Sequence, residues 1–286
     1  MTGSHPEDIS NEADDESIAP SPGTAPRPAN ERKFVIIVEY DGTNYHGFQL
    51  QAGANTIQAE LEKAILALTK ENRRVIPASR TDAGVHAVAQ VVAFRTVTEF
   101  SPEVIVKGLN HYLPPDIAVK RAYRVRNTVN VRREAVSREY KYYILNRETR
   151  SPLRDRFAYT IKGELDLTAM NAACAVILGE HDFVSFASAL EAKHLGKTTR
   201  TVLHAVVARE KEDTIIFEIA ANSFLTHQVR NTVGTLLRVG QHRIEITELN
   251  KILEAKRAGS AGPGVPARGL FLTKVNYPYS FEEVTE

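Results

Sequence analysis

Strand-length apolar runs alternate with short helical stripes along this chain, and that alternation restricts it to a mixed fold. Residues 34–39 form a buried strand pattern, closed by the turn signal Asp41-Gly42. Asn55 is placed to cap a helix, with Gln58 three residues on and an apolar stripe at Ile57, Leu61, Ile65 and Leu68. Residues 88–94 return as a strand. Ser101-Pro102-Glu103 then supplies cap, first turn and favourable dipole charge for a short helix to Leu109. Pro114-Pro115 ends that region, and residues 117–123 form another strand.

From about Val136 the order recurs in outline. Residues 140–145 read as a strand, and Asp166 caps a helix running to about Leu178. Residues 201–208 and 214–220 form a hairpin across 210–213. Residues 227–239 form a helix with Val229, Val233, Leu236 and Leu237 inward. Another short helix starts at Thr247, a Gly/Pro loop spans 258–269, and 270–275 is a last strand. The pattern implies an α+β (mixed α/β) fold of two similar halves, 32–135 and 136–286, sharing one sheet. There is no residue-level repeat.

The chain has 286 residues, 43% hydrophobic and 25% charged, the balance of a soluble globular protein. No apolar run approaches the ~18 residues of a membrane span. Cys174 is the single cysteine, which excludes an internal disulfide and fits core packing in a reducing compartment.

The net charge of +1 hides an asymmetry. Residues 1–30 hold six acids and one base, −5 in all, so the other 256 residues carry +6. That first stretch has five prolines and no aromatic residue, too little apolar surface to offset ordering entropy. Residues 1–31 are expected to be a disordered acidic tail. They resemble neither a transit peptide nor a secretory signal.

Positive charge concentrates at 120–156, where twelve bases face four acids, a local charge of +8. Ten of the twelve are arginines, which suit bidentate phosphate contacts. Tyrosines 123, 140, 142, 143 and 159 offer stacking surfaces for bases. A solvated charged face would show a similar run, but with less bias of sign.

Arg80-Thr81-Asp82-Ala83-Gly84-Val85-His86 puts a carboxylate at a tight turn entering a strand, beside a cation. Such a carboxylate can act as a nucleophile or stabilise a positive transition state. Arg230 lies between the apolar positions Val229 and Val233, near the edge of the core. It needs a carboxylate there, and Asp82 is a candidate. No metal or nucleotide motif is present. What remains is a cofactor-free enzyme acting on nucleic acid, or a nucleic-acid binder.

Over residues 33–280 the chain resembles the TruA family of transfer-RNA pseudouridine synthases. The resemblance rests on Glu39-Tyr40-Asp41-Gly42 with Gly47-Phe48-Gln49, on the motif from Arg80 to His86, and on Asn110 with Leu113-Pro114. It continues through Arg138 to Tyr142, Gly179 to Phe183 with Ser185-Phe186, and Val229-Arg230-Asn231 with Gly234. It implies the pseudouridine synthase fold, a mainly antiparallel sheet with flanking helices and the active site in a basic cleft between the halves. The implied activity is isomerisation of uridine at positions 38, 39 and 40 of the anticodon stem-loop. A cytoplasmic homodimer acting on transfer RNA is implied, with no cofactor, membrane or DNA.

The resemblance also implies roles. Asp82 attacks the sugar or stabilises the positive charge that develops when the glycosidic bond breaks. Arg230 pairs with Asp82 and keeps it ionised. Tyr140 stacks on the target base and moves a proton. Arg80 enters the stem as the uridine flips out, and Arg132 contacts RNA. Four departures bear on RNA positioning: Phe48 stands where tryptophan is usual, Ser79 replaces a common glycine, and Thr226 and Gln228 flank His227 where histidine and methionine are common. Phe100 stands near a position that can carry a basic RNA contact.

Two other readings fit parts of the pattern. A non-catalytic RNA-binding or RNA-folding protein would tolerate loss of Asp82. A glycoside or nucleoside hydrolase would release free uracil and would usually need a second carboxylate, which the motif lacks.

Overall fold

Phe34 on β1 (Arg32–Tyr40) lies directly opposite Phe94 on β3 (His86–Thr96), their rings stacked at 5.7 Å. Both are fully or almost fully buried, each contributing roughly 1.5–3 kcal/mol of apolar burial. This antiparallel pair is the centre of the first half. The computed structural model describes residues 28, 30–188 and 196–285. Most of the acidic segment 1–31 lies outside the described residues.

Between β1 and β3 run α1 (Ile57–Thr69) and the short β2 (Val75–Pro77); α2 (Pro102–Tyr112) and β4 (Ile117–Val125) follow. The second half comprises β5 (Ser137–Asn146), β6 (Tyr159–Ile161), α3 (Leu167–Val176), β7 (Gly179–Asp182), β8 (Thr199–Lys211), β9 (Thr214–Ala221), α4 (Gln228–Gly240), α5 (Ile246–Glu254) and β10 (Leu270–Asn276). One sheet runs β4-β1-β3-β10-β5-β9-β8-β7, with β2 also on β3 and β6 also on β5. Among the described residues only β3–β10 and β5–β6 pair parallel. The fold is therefore mixed α/β with a mainly antiparallel sheet, as the alternation implies.

The halves share a topology. β1 lies between β3 and β4, and β5 lies between β9 and β10. A helix falls at each corresponding crossover: α1 and α3 after the central strand, α2 and α4–α5 before the last.

β10 meets β3 only at Phe271 opposite His86 and Leu272 opposite Ala87. Farther along β3, β2 takes the same edge, pairing at residues 92–94. The sheet parts between these two neighbours, and the cleft opens there.

Several local signals hold, with shifted bounds. Ser101 and Asp166 cap α2 and α3 through their side chains. The cap of α1 is Thr56 rather than Asn55; its hydroxyl accepts from Ala59 N at 3.3 Å. α3 ends at Val176, α5 begins at Ile246, and β8–β9 turn at Glu212-Asp213. The three- and four-residue strands β2, β6 and β7 are too short to show in periodicity. Cys174 is buried in the core, and burial pushes its thiol up to about 12. Among the described residues no helix is long and apolar enough to cross a membrane.

Candidate active site

The turn bearing Asp82 is pinned from both sides. Thr81 O accepts from Phe48 N at 3.0 Å, and Thr81 Oγ1 shares a hydrogen bond with Tyr40 Oη at 2.7 Å. Val85 N donates to Asp82 O at 3.1 Å, and Gly84 supplies the positive φ of 76° that the turn requires. Gly47 makes the close approach possible, since a Cβ there would lie 2.8 Å from Thr81 O. Phe48 is fully buried against Tyr40, so phenylalanine fills the place where tryptophan is usual.

α4 brings the partner. Arg230 Nη1 lies 3.4 Å from Asp82 Oδ2, and His227 Nε2 lies 3.6 Å from the same oxygen. The pairing expected for Arg230 forms. Its Nε donates to Val265 O at 2.9 Å, which fixes the guanidinium from the far side. The Gly/Pro loop can come this close because Gly264 has no side chain: a Cβ would sit 2.4 Å from Asn231 Oδ1.

Tyr140 reaches the cleft from β5, buried and edge-on to Phe224 at 5.2 Å. Its Oη lies 3.1 Å from Ser79 Oγ. Burial pushes the phenol up to about 12, against the Ser79 hydrogen bond and helped by the Asp82 charge. At neutral pH the hydroxyl keeps its proton and can donate it. The Ser79 turn tolerates its side chain without positive φ, and Gln90 holds it by accepting from Ser79 N and donating to Ser79 O at 2.6 Å.

These groups meet in a cleft of about 910 Å³. Its described lining holds one acid, Asp82, and six arginines: Arg80, Arg132, Arg133, Arg138, Arg200 and Arg230. The structure thus brings Asp82, Tyr140, Arg230, Arg80 and Arg132 to one place. Arg80 and Arg132 are exposed at its rim and also share a smaller neighbouring hollow.

Arg138 does a different job from the other arginines. It is buried and donates to the carbonyls of Ala135, Asn222, Ala78 and Arg132 at 2.8–3.1 Å. Burial lowers its guanidinium from the usual value, and the four carbonyls satisfy it. It ties the Asp82 side of the cleft to the loop carrying Arg132 and Arg133. Asn130 Oδ1 closes that loop by accepting from the backbone N of both arginines at 3.1 Å.

The basic run 120–156 is not one surface. Lys120 pairs with Glu39, Lys141 with Glu218, Arg147 and Arg154 with Asp213, and Arg156 with Asp41. Of the bases in that run only Arg132, Arg133 and Arg138 line the cleft. Sequence reasoning had no signal for Phe224 or Arg200. Nor did it have a signal linking His227 to Asp82, since that contact is made across the fold from the residue that precedes α4.

The family model described as tRNA pseudouridine synthase matches residues 36–132 and 173–278. The chain is 40% identical over 246 residues to the tRNA pseudouridine synthase A of Exiguobacterium sp. (strain ATCC BAA-1283 / AT1b), covering 86% of this chain and 98% of that one. It is 42% identical over 246 residues to the tRNA pseudouridine synthase A of Thermoanaerobacter sp. (strain X514), covering 86% of this chain and all of that one. Among solved structures it is similar to the archaeal box H/ACA sRNP Nop10-Cbf5 complex at 12% identity and a TM-score of 0.34, over 71% of this chain and 44% of that one.

Proposed function

The chain belongs to the tRNA pseudouridine synthase family, and we propose that it isomerises uridine to pseudouridine at positions 38, 39 and 40 of the anticodon stem-loop, with Asp82 as nucleophile. The observation that carries this reading is the Asp82–Arg230 pair in a cleft lined by six arginines and one acid.

The chemistry follows from the arrangement. Arg230 pairs with Asp82 and orients its carboxylate. An Asp82 oxygen bonds to the ribose C1′ as the N1–C1′ bond breaks, and the electron pair leaves with the uracil. The uracil rotates, its C5 bonds to C1′, and the Asp82–C1′ bond breaks to free the carboxylate. Loss of the C5 hydrogen as a proton restores the ring. Tyr140 stacks against the base and supplies its hydroxyl for proton movement. A uridine inside a stem cannot reach Asp82, so it must leave the stack. Arg80 takes its place, and Arg132 holds backbone phosphate at the rim. We also propose a cytoplasmic homodimer in which each RNA contacts both subunits; sedimentation with and without transfer RNA tests it.

The deciding experiment measures tritium release from transfer RNA labelled at uridine C5, comparing wild type with Asp82→Ala at equal RNA occupancy. Release by the wild type alone is expected. Equal release by both proteins would remove Asp82 from the chemistry, and free uracil in the wild-type reaction would indicate hydrolysis instead.

A further inference from the structure

We infer that His227 is a positioning residue for Asp82: with Arg230 it holds Oδ2, so that Oδ1 is the oxygen presented to the ribose. The inference rests on the reading of Asp82 above and adds a residue to it.

The start of α4 differs from those of the other α-helices among the described residues; α5 also lacks a side-chain cap, at Glu245, but its backbone there is extended. Thr56, Ser101 and Asp166 each have extended backbone, and each side chain accepts a hydrogen bond from its helix's first turn. His227 occupies the same place before α4 but makes no such bond. Its backbone is left-handed, with φ 64° and ψ −3°, a conformation uncommon outside glycine, though histidine adopts it more readily than most residues. Such a conformation persists only where its surroundings over-determine it.

The surroundings here do so. Gln228 N donates to Leu225 O at 3.0 Å, and Gln228 Oε1 accepts from Leu225 N at 2.8 Å. Ser188 N donates to Thr226 O at 3.1 Å, and Asn231 N donates to His227 O at 2.9 Å. Gln228 thus builds the turn with its side chain. The turn gives up a helix cap and turns the imidazole toward the carboxylate.

The geometry there is specific. Nε2 of His227 and Nη1 of Arg230 approach the same oxygen, at 3.6 and 3.4 Å. Neither contact is as short as the ~2.7–2.9 Å of a fully formed charge-assisted bond. Arg230 makes the hydrogen bond and His227 flanks the same oxygen just beyond hydrogen-bond distance; two nitrogens on one oxygen restrict its rotation about Cβ–Cγ more than one does. The α4 N-terminus adds a favourable dipole on the same side.

The test uses full-length protein with His227→Asn and His227→Gln. Asparagine tolerates the left-handed backbone but is too short to reach Oδ2. Glutamine carries an amide nitrogen at the reach of Nε2. Expected for His227→Asn is a kcat loss of ~10- to 100-fold with transfer-RNA KM and melting temperature unchanged. His227→Gln should recover most of the loss. An unchanged kcat in His227→Asn overturns the inference, and so does a loss seen only in KM, or one not recovered by a glutamine variant that keeps the wild-type melting temperature. Asp82→Asn is assayed alongside. If it stays fully active, the reading of Asp82 and this inference fall together; if it is dead while both His227 variants match wild type, the inference falls alone.

Discussion

Ser79 Oγ and Tyr140 Oη share a hydrogen bond at 3.1 Å, joining the turn that carries Asp82 to the second half of the sheet. Burial is the larger influence on Tyr140, raising it to about 12, while the serine opposes that rise. From pH 6 to 9 the phenol stays protonated. Tyr140→Phe is expected to lower kcat by ~100-fold or more, leaving the positions of the pH–rate limbs unchanged. Ser79→Ala should cost only a few-fold. Steady-state rates across that pH range, with transfer-RNA affinity measured in parallel, check both.

Arg132 is exposed at the cleft rim on a loop held by Asn130 and Arg138. If it holds a phosphate, Arg132→Gln weakens binding and lowers the slope of log Kd against log salt by roughly 0.7–0.9. kcat at saturating RNA should not change. Filter binding over a salt series gives the slope. An unaltered slope would remove Arg132 from the phosphate contacts.

Gly47 and Gly53 form a controlled pair. Both have positive φ, 92° and 71°, but a Cβ at Gly47 would meet Thr81 O at 2.8 Å whereas one at Gly53 meets nothing within 4 Å. Gly53→Ala should cost about 1 kcal/mol of backbone strain alone. Gly47→Ala should cost about 2–3 kcal/mol and also lower kcat, because the displaced atom belongs to the residue before Asp82. Urea unfolding and single-turnover rates separate the two effects.

Asp213, at the β8–β9 turn, accepts from both terminal nitrogens of Arg154 and also pairs with Arg147 at 3.3 Å. The Arg154 hydrogen bonds hold its carboxyl down from 3.8 to about 2. A depressed folded value means the stabilisation is complete above about 3.8 and is lost as pH falls through about 2. Asp213→Asn should therefore unfold more easily than wild type at pH 6, with the gap closing between pH 4 and 2. Urea midpoints for both proteins across that range give the result.

Local sequence determined much of this protein. The helix caps at Ser101 and Asp166, the turn around Gly84 and the inward face of α4 follow from propensity and period, because each is set by neighbours within one or two turns. The motif from Arg80 to His86 marked Asp82 as the candidate carboxylate for the same reason: the signal lies in adjacent residues.

Tertiary structure decided how those pieces meet. Periodicity says which face of a strand is buried but not which strand lies beside it, so the insertion of β10 between β3 and β5 was not legible. That insertion joins the halves and opens the cleft where β2 replaces β10 along β3. It also brings Arg230 to Asp82 across 148 positions of sequence. The basic run was legible as composition, but its division was not. Lys120, Arg154 and Arg156 find carboxylates elsewhere, Arg138 goes inward to four carbonyls, and Arg132 and Arg133 remain at the cleft. A charge is fixed by sequence, whereas its partner depends on which distant chain segment packs within a few ångströms of it.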